Sequence, residues 1–212
     1  MLNAVKLING CIKMASKDRI LRLKEETRCN ILDASLKIVK DGGWDALSMR
    51  KIADEIEYTA PIIYEYYSNK GAILLELTRK GFLLLAKKLQ EAKDKHRLPA
   101  KQLEAMWLAY WDFAFAEKEL YQVMYGVETS CCEMAKIMPE SEKPMDLIWD
   151  AIVELMLPHV GTEDEICIKY YTFWSVIHGL ISINMVNRGT TDETNQQVLK
   201  TAISGIIASI KG

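Results

Sequence analysis

The sequence predicts an all-α protein. Only 5 prolines and 11 glycines interrupt its 212 residues. No stretch alternates apolar and polar residues between turn signals, the pattern of a half-buried strand. Apolar residues instead recur three, four and seven apart, which gathers them on one side of a helix. Half of the residues are hydrophobic and 26% are charged. That is enough to bury a sizeable core and too apolar for a disordered chain.

The elements follow in order. From about Arg19 to Lys40, Ile31, Leu32, Leu36, Ile38 and Val39 share one helical face. Asp41-Gly42-Gly43 ends that helix, because glycine accepts the left-handed conformation of a C-terminal cap. Ser48 opens a short helix through Ile56, its hydroxyl capping the first amides. After Glu57-Tyr58, Thr59 is placed to cap a third helix, about Ala60 to Tyr67. Pro61 suits the first turn of that helix, where a missing N–H costs nothing. Ser68-Asn69 restarts a long helix to about Lys95.

Short helices then give way to long ones, which predicts domains at 19–80 and 81–212. Further helices are expected at about 99–117, 118–137, 143–159, 163–188 and 191–210. Thr162-x-x-Glu165 and Thr190-x-x-Glu193 read as capping boxes for the last two, each preceded by a glycine, Gly161 and Gly189. Residues 1–80 hold 14 Lys/Arg against 11 Asp/Glu, although the whole chain carries −2. The sign favours a phosphate-bearing partner at the N-terminal end, while a globally basic coat is excluded.

Other classes are excluded by what the chain lacks. Its five cysteines, at 11, 29, 131, 132 and 167, form no CxxC, and its three histidines lie far from any cysteine pair. No zinc finger, disulfide scaffold, metal site or cofactor is expected. Cys131-Cys132 has no neighbour that lowers a thiol pKa convincingly, so redox sensing is a poor reading. Free thiols fit a reducing cytoplasm. The first residues are too broken by Lys6, Asn9 and Lys13 for a signal peptide. Residues 170–187 carry no formal charge, but Thr172, Ser175, His178, Ser182, Asn184 and Asn187 favour a helix buried in protein over a membrane span. There is no HExxH, GxSxG, P-loop or Glu-x-x-His pair, so no enzyme is expected.

The helix pair Ser48–Ile56 and Thr59–Tyr67 has the size and spacing of a helix-turn-helix. Ile52, Ala53 and Ile56 would pack the first helix, and Ile63 and Tyr67 would plug the second into the core. Thr59, Ala60, Ile62, Tyr64 and Tyr66 would then face outward, where such a helix fits a major groove. Gly43-Trp44, Ser48-Met49-Arg50-Lys51-Ile52-Ala53, Ile63-Tyr64-Glu65-Tyr66-Tyr67 and Asn69-Lys70 stand at the spacing of a family pattern. Residues 27–75 resemble the N-terminal domain of the TetR family of bacterial transcriptional regulators. Glu57, Glu65 and Gly71 depart from the pattern in type and not in spacing. The resemblance implies phosphate contacts from Ser48, Tyr64 and Lys70, with Arg50 adding charge nearby. It turns Thr59, Ala60, Pro61 and Ile62 to base edges, and Tyr66 divides between core and surface. With few polar groups there, readout would lean on thymine methyls and DNA shape. Lys13, Lys17, Arg19, Arg22 and Lys24 are read as a solvated, frayed end before a DNA-reaching arm.

In the second part, Tyr121-Gln122-Val123-Met124-Tyr125-Gly126 and Trp174-Ser175-Val176-Ile177-His178-Gly179 resemble C-terminal domains of a TetR branch with a tryptophan…histidine-glycine motif. Tyr171, Trp174, His178, Ile181 and Met185 step along one helical face, and Tyr170, Phe173, Ile177, Leu180 and Asn184 along the next. A helix apolar on two faces serves its own core with one and a partner with the other. In the last helix, Leu199, Ile203, Ile206 and Ile210 form an apolar stripe. Val198, Ala202, Gly205 and Ser209 form a stripe of mostly small residues. The expectation is a homodimer through about 163–210, joined as a four-helix bundle. Trp107, Tyr110, Trp111, Met124, Tyr125, Trp149, Trp174 and His178 are the candidate lining of a pocket for a small hydrophobic effector.

The expected architecture is therefore an N-terminal three-helix helix-turn-helix domain, joined by a long helix to a larger helical ligand-binding and dimerisation domain. The expected function is a cytoplasmic, ligand-responsive regulator binding double-stranded operator DNA. A repressor released by its effector is the favoured mode. The alternative is a helical small-molecule binding or storage protein without DNA binding.

Overall fold

The computed structural model describes residues 2–126, 137–157, 162–186 and 189–211, with side chains between 18 and 210. Among the described residues the regular structure is helical, with no strand. The chain divides into two compact units, Met1–Leu77 and Thr78–Gly212.

In the first unit, α1 spans Leu2–Gly42. It begins well before the expected Arg19, and the backbone of the N-terminal stretch is helical where a frayed end was expected. No proline interrupts that stretch, so nothing breaks its hydrogen-bond ladder. Ile31, Leu32, Ser35 and Val39 form its buried stripe. The Ser35 hydroxyl, having no water, donates to the Ile31 carbonyl at 2.7 Å. Glycine does terminate α1, but with a different backbone from the one expected. Gly43 has φ 76° and ψ 174°, an extended mirror region that only glycine enters freely, and its N–H returns to the Val39 carbonyl at 2.8 Å.

A single 3₁₀ turn, Trp44–Ala46, leads to α2, Met49–Glu55. Ser48 caps α2 as expected, its hydroxyl accepting the Lys51 N–H at 3.3 Å. Helix α3 covers Ala60–Tyr66 with Pro61 in its first turn. Thr59 holds the N-cap position, but its side chain makes no cap hydrogen bond. The expected cap is thus geometric only, and the hydroxyl stays exposed. Helix α4, Lys70–Lys93, opens on Asn69, whose side-chain oxygen accepts the Ala72 N–H at 2.9 Å.

The second unit is built around α5, Pro99–Ala116. Leu103, Met106, Trp107, Tyr110, Trp111, Phe113 and Ala114 are buried on it, while Lys101, Asp112 and Phe115 remain exposed. Four helices surround it: α6 (Lys118–Gly126), α7 (Lys143–Met156), α8 (Glu163–Met185) and α9 (Asp192–Lys211). A second 3₁₀ turn, Pro139–Ser141, precedes α7. Cys131 and Cys132 lie outside the described residues.

The Thr162–Glu165 capping box forms in both directions. The second expected box does not. Thr191, not Thr190, accepts the Thr194 N–H at 3.3 Å, and the helix begins one residue later than the box predicts, at Asp192. On α9 the buried stripe is Leu199, Ile203 and Ile207, with Ile206 and Ile210 half-buried. This corrects the expected stripe by one position at its end.

Glu57, between α2 and α3, has φ 57°, left-handed backbone that costs a side-chain-bearing residue about 1 kcal/mol. Glu57→Gly is expected to raise the unfolding free energy by about 0.5–1 kcal/mol, less than the full strain because glycine also loosens the unfolded chain. Urea unfolding of the two proteins measures the difference.

Candidate nucleic-acid face and candidate effector site

In the N-terminal unit, α3 has a single fully buried residue, Ile63. Ile63 meets α2, where Ile52 and Ala53 are also buried. Tyr67, just past the helix, is buried too, while Ile56 is half-buried. Thr59, Pro61 and Tyr64 are exposed and Ala60, Ile62 and Tyr66 half-buried. Tyr64 is 53% exposed, so its phenol stands in solvent rather than in the core. Ser48 and Arg50 are exposed on the α2 side.

Lys70 is placed differently from a purely phosphate-facing lysine. It is half-buried, and its ammonium donates to the Trp44 carbonyl at 2.9 Å. That bond ties the start of α4 to the turn before α2. An ammonium has three donors, so the tie does not exhaust it.

Two further residues frame this face without having been singled out in the sequence. Arg28 of α1 donates weakly to the Tyr66 carbonyl at 3.5 Å and lies 5.4 Å from the Tyr67 ring centre. Lys37 of α1 pairs with Glu55 of α2. Both contacts join residues far apart in sequence, and neither residue type signals its partner locally.

In the C-terminal unit the candidate residues divide. Trp107, Tyr110, Tyr125, Trp174 and His178 come together with Tyr121 and Phe173. Trp107 stacks on Phe173 at 5.3 Å, and Trp174 on His178 at 4.7 Å. Tyr110 sets its edge against Tyr121 at 6.1 Å. Met124 is buried on the same helix as Tyr121 and Tyr125. Trp111 belongs elsewhere. It pairs with Phe115 and lines an open cleft of about 410 Å³ with Asp112, Asn184, Asp192, Asn195 and Gln196. Trp149 is half-buried on α7 and joins neither group among the described residues. Trp107 and Trp111 stand one turn apart on α5, and successive turns of the helix meet different neighbours.

Polar groups inside the aromatic cluster are held neutral. The Tyr121 hydroxyl and His178 Nδ1 share a short hydrogen bond. Burial pushes the Tyr121 hydroxyl well above its usual range and lowers the His178 imidazole below 6.5. Tyr110 is raised most, by burial first and then by the hydroxyls of Tyr125 and Tyr121. Those neighbours are close, yet Tyr110 makes no hydrogen bond of acceptable geometry.

Acidification should therefore weaken this unit through His178. The unfolded chain takes up a proton near 6.5, while the buried ring resists it, so stability is full above that pH and falls as pH drops toward the folded value. Urea melts at pH 7 and pH 5 should show a larger loss for the native protein than for His178→Gln. Equal losses would rule out a buried neutral imidazole.

Comparison with known proteins matches both units. Residues 31–77 match the model of the bacterial regulatory proteins of the tetR family, and residues 103–204 that of the tetracyclin repressor-like C-terminal domain. The chain is 21% identical over 140 residues to the HTH-type transcriptional activator FasR of Mycolicibacterium smegmatis, covering 66% of this chain and 63% of that protein. It is 28% identical over 83 residues to the HTH-type transcriptional repressor KstR of Mycobacterium tuberculosis, covering 39% and 38% respectively. These alignments span less than two thirds of either relative. Among solved structures, a protein of unknown function from Rhodococcus sp. RHA1 superposes with a TM-score of 0.75 at 21% identity, over 87% of this chain and 95% of that one. That likeness establishes a shared fold. With a family match on each of its two units, the chain belongs to the TetR family of bacterial regulatory proteins.

Proposed function

We propose that this protein is a cytoplasmic, ligand-responsive regulator of transcription that binds operator DNA as a homodimer, and that it acts as a repressor released by a small hydrophobic effector. The observation that carries the DNA reading is the exposure of α3, anchored by Ile63 with Thr59, Pro61 and Tyr64 facing solvent. A storage protein has no use for such a helix. The relatives' printed names include an activator and a repressor. Repression is the simpler mode, because occupying a promoter needs no contact with polymerase.

A two-fold operator needs two recognition helices about 34 Å apart, one turn of DNA. The apolar outer face of α8 and α9 supports a partner. Ile168, Tyr171, Val176 and Ile183 on α8, Val186 just past its end, and Val198 on α9 are exposed within the subunit. Helix α8 is apolar enough to cross a membrane, yet only 22% of its apolar window is buried. A second copy of the same pair of helices covers this face, with no need for lipid. Gly179 and Gly205 fit that reading. A Cβ added at either meets nothing within 4 Å inside the subunit, so their smallness answers to something outside it.

The aromatic cluster is the effector site in this reading, and Tyr110, Trp174 and His178 are its central residues. Coupling requires the effector to bind the two states of the dimer differently, by about 1–3 kcal/mol. Helix α4 runs unbroken past Leu77 and serves as the mechanical link.

Gel shifts with the DNA upstream of the protein's own gene test the first claim. Tyr64→Ala and Arg50→Ala should each weaken binding about tenfold or more, and Arg50→Ala should reduce the salt slope by about one phosphate contact. Absence of salt-dependent binding by the native protein sinks the DNA reading. Gly205→Leu should leave helix content unchanged and convert the dimer to monomer in sedimentation. A Gly205→Leu protein that stays dimeric contradicts the proposed interface.

A further inference from the structure

Helix α3 carries a single charged residue, Glu65. Its direction is set by the anchor of the helix. Ile63 is fully buried and fixes which side of α3 turns inward. At about 100° of rotation per residue, a side chain two positions away lies about 160° round from that anchor. Pro61 and Glu65 are the residues so placed, and both are exposed. Tyr64 and Ile62 lie only about 100° round. Ala60 and Tyr66, about 60° from Ile63, are half-buried, as that rotation requires. Pro61 and Glu65 therefore form the outer crest of α3, one above the other. Proline brings no polar side-chain group, so the only one on the crest is the Glu65 carboxylate. Among the described residues the Glu65 side chain has no hydrogen bond or ion pair. Three cations of the same unit are engaged elsewhere: Lys37 with Glu55, Arg28 with the Tyr66 carbonyl and Lys70 with the Trp44 carbonyl.

We propose that Glu65 is a specificity-determining residue, which selects cytosine at one position in each half of a two-fold operator by accepting a hydrogen bond from the cytosine N4 amino group. This rests on the reading that α3 enters the major groove. A carboxylate only accepts. In that groove guanine presents two acceptors, and thymine an acceptor and a methyl, so neither offers it a donor. Adenine sets its N6 amino group beside the N7 acceptor, whereas the cytosine amino group has no acceptor next to it on the same base. An unpaired carboxylate brought among phosphates disfavours every duplex. A cytosine donor offsets that repulsion on one sequence alone, so the same charge that rejects other duplexes sharpens the choice.

Selection from randomised duplexes tests the assignment. The native full chain and Glu65→Ala are each equilibrated with the same pool, and the bound DNA is sequenced. The native protein is expected to enrich a two-fold site with cytosine at one position of each half. Glu65→Ala should enrich the same site with no preference at that position. In the native-selected duplex, N4-methylcytosine at that position keeps the C·G pair and blocks the N4–H that faces the groove. It should weaken native binding about tenfold or more, the order of one lost base contact, and leave Glu65→Ala binding unchanged. Each protein is read as a ratio of its affinities for modified and unmodified duplex, so a uniform gain from removing a negative charge cancels. Glu65 is exposed, and matching urea unfolding curves show that alanine there keeps the fold.

The proposal is overturned if the two proteins select identical bases, if the preference lost is for a base other than cytosine, or if N4-methylation affects both equally. In those cases the native protein still selects a site, and the regulator reading stands. A native protein that enriches no sequence ends that reading and this proposal with it.

Discussion

The exposed helix α3 of the N-terminal unit depends on the burial of Ile63. A helix of seven residues does not persist in water by itself, because nucleation is costly and few hydrogen bonds repay it. Ile63 is fully buried and Ala53 opposite is nearly so. The small alanine lets α2 and α3 cross closely, and burial of one isoleucine contributes about 1.5–3 kcal/mol. Tyr67 adds a second hold just past the helix, with Arg28 beside its ring. Because so few residues hold α3 down, Pro61, Tyr64 and Glu65 are left to solvent. Lys70 completes the frame by fixing the entry of α4 to the Trp44 carbonyl.

The C-terminal unit solves a different problem. Helix α5 buries seven side chains, which find partners on four surrounding helices. Aliphatic side chains do so without cost, but tryptophan and tyrosine bring polar atoms inside. The cluster keeps those atoms neutral through burial and settles one pair internally, Tyr121 with His178. The result is an apolar, aromatic interior with few polar groups, the general character of a site for a small organic molecule. Helix α8 belongs to both sides of this arrangement. Ile166, Phe173, Ile177 and Ile181 face inward, while its outer face remains apolar and uncovered within the subunit.

Much of this was legible in the sequence. Helical period and glycine placement gave the element order, and Ser48, Pro61 and the Thr162–Glu165 pair marked helix starts, because those signals act within four residues. The core positions Ile52, Ala53, Ile63 and Tyr67 were legible for the same reason, since a fixed spacing on a short helix leaves one inward direction. The glutamate at the turn was visible as a departure, and its left-handed backbone is the consequence. Local signals failed where two adjacent residues carried the same one. Thr191 rather than Thr190 took the capping role, accepting the Thr194 N–H.

Sequence by itself determined the helices, the helix-turn-helix and the inward face of each short element, since these follow from propensity, capping and period along one segment. Tertiary structure alone decided which aromatics meet. Trp111 went to the cleft with Phe115, whereas Tyr121 and Phe173 joined Trp107 and Tyr110. It also decided that Lys70 is tied to Trp44. The physical reason is that the neighbours each buried face of α5 meets, and hydrogen bonds across long sequence separations, are set by how helices pack. No periodicity within a single helix records which neighbour it will face.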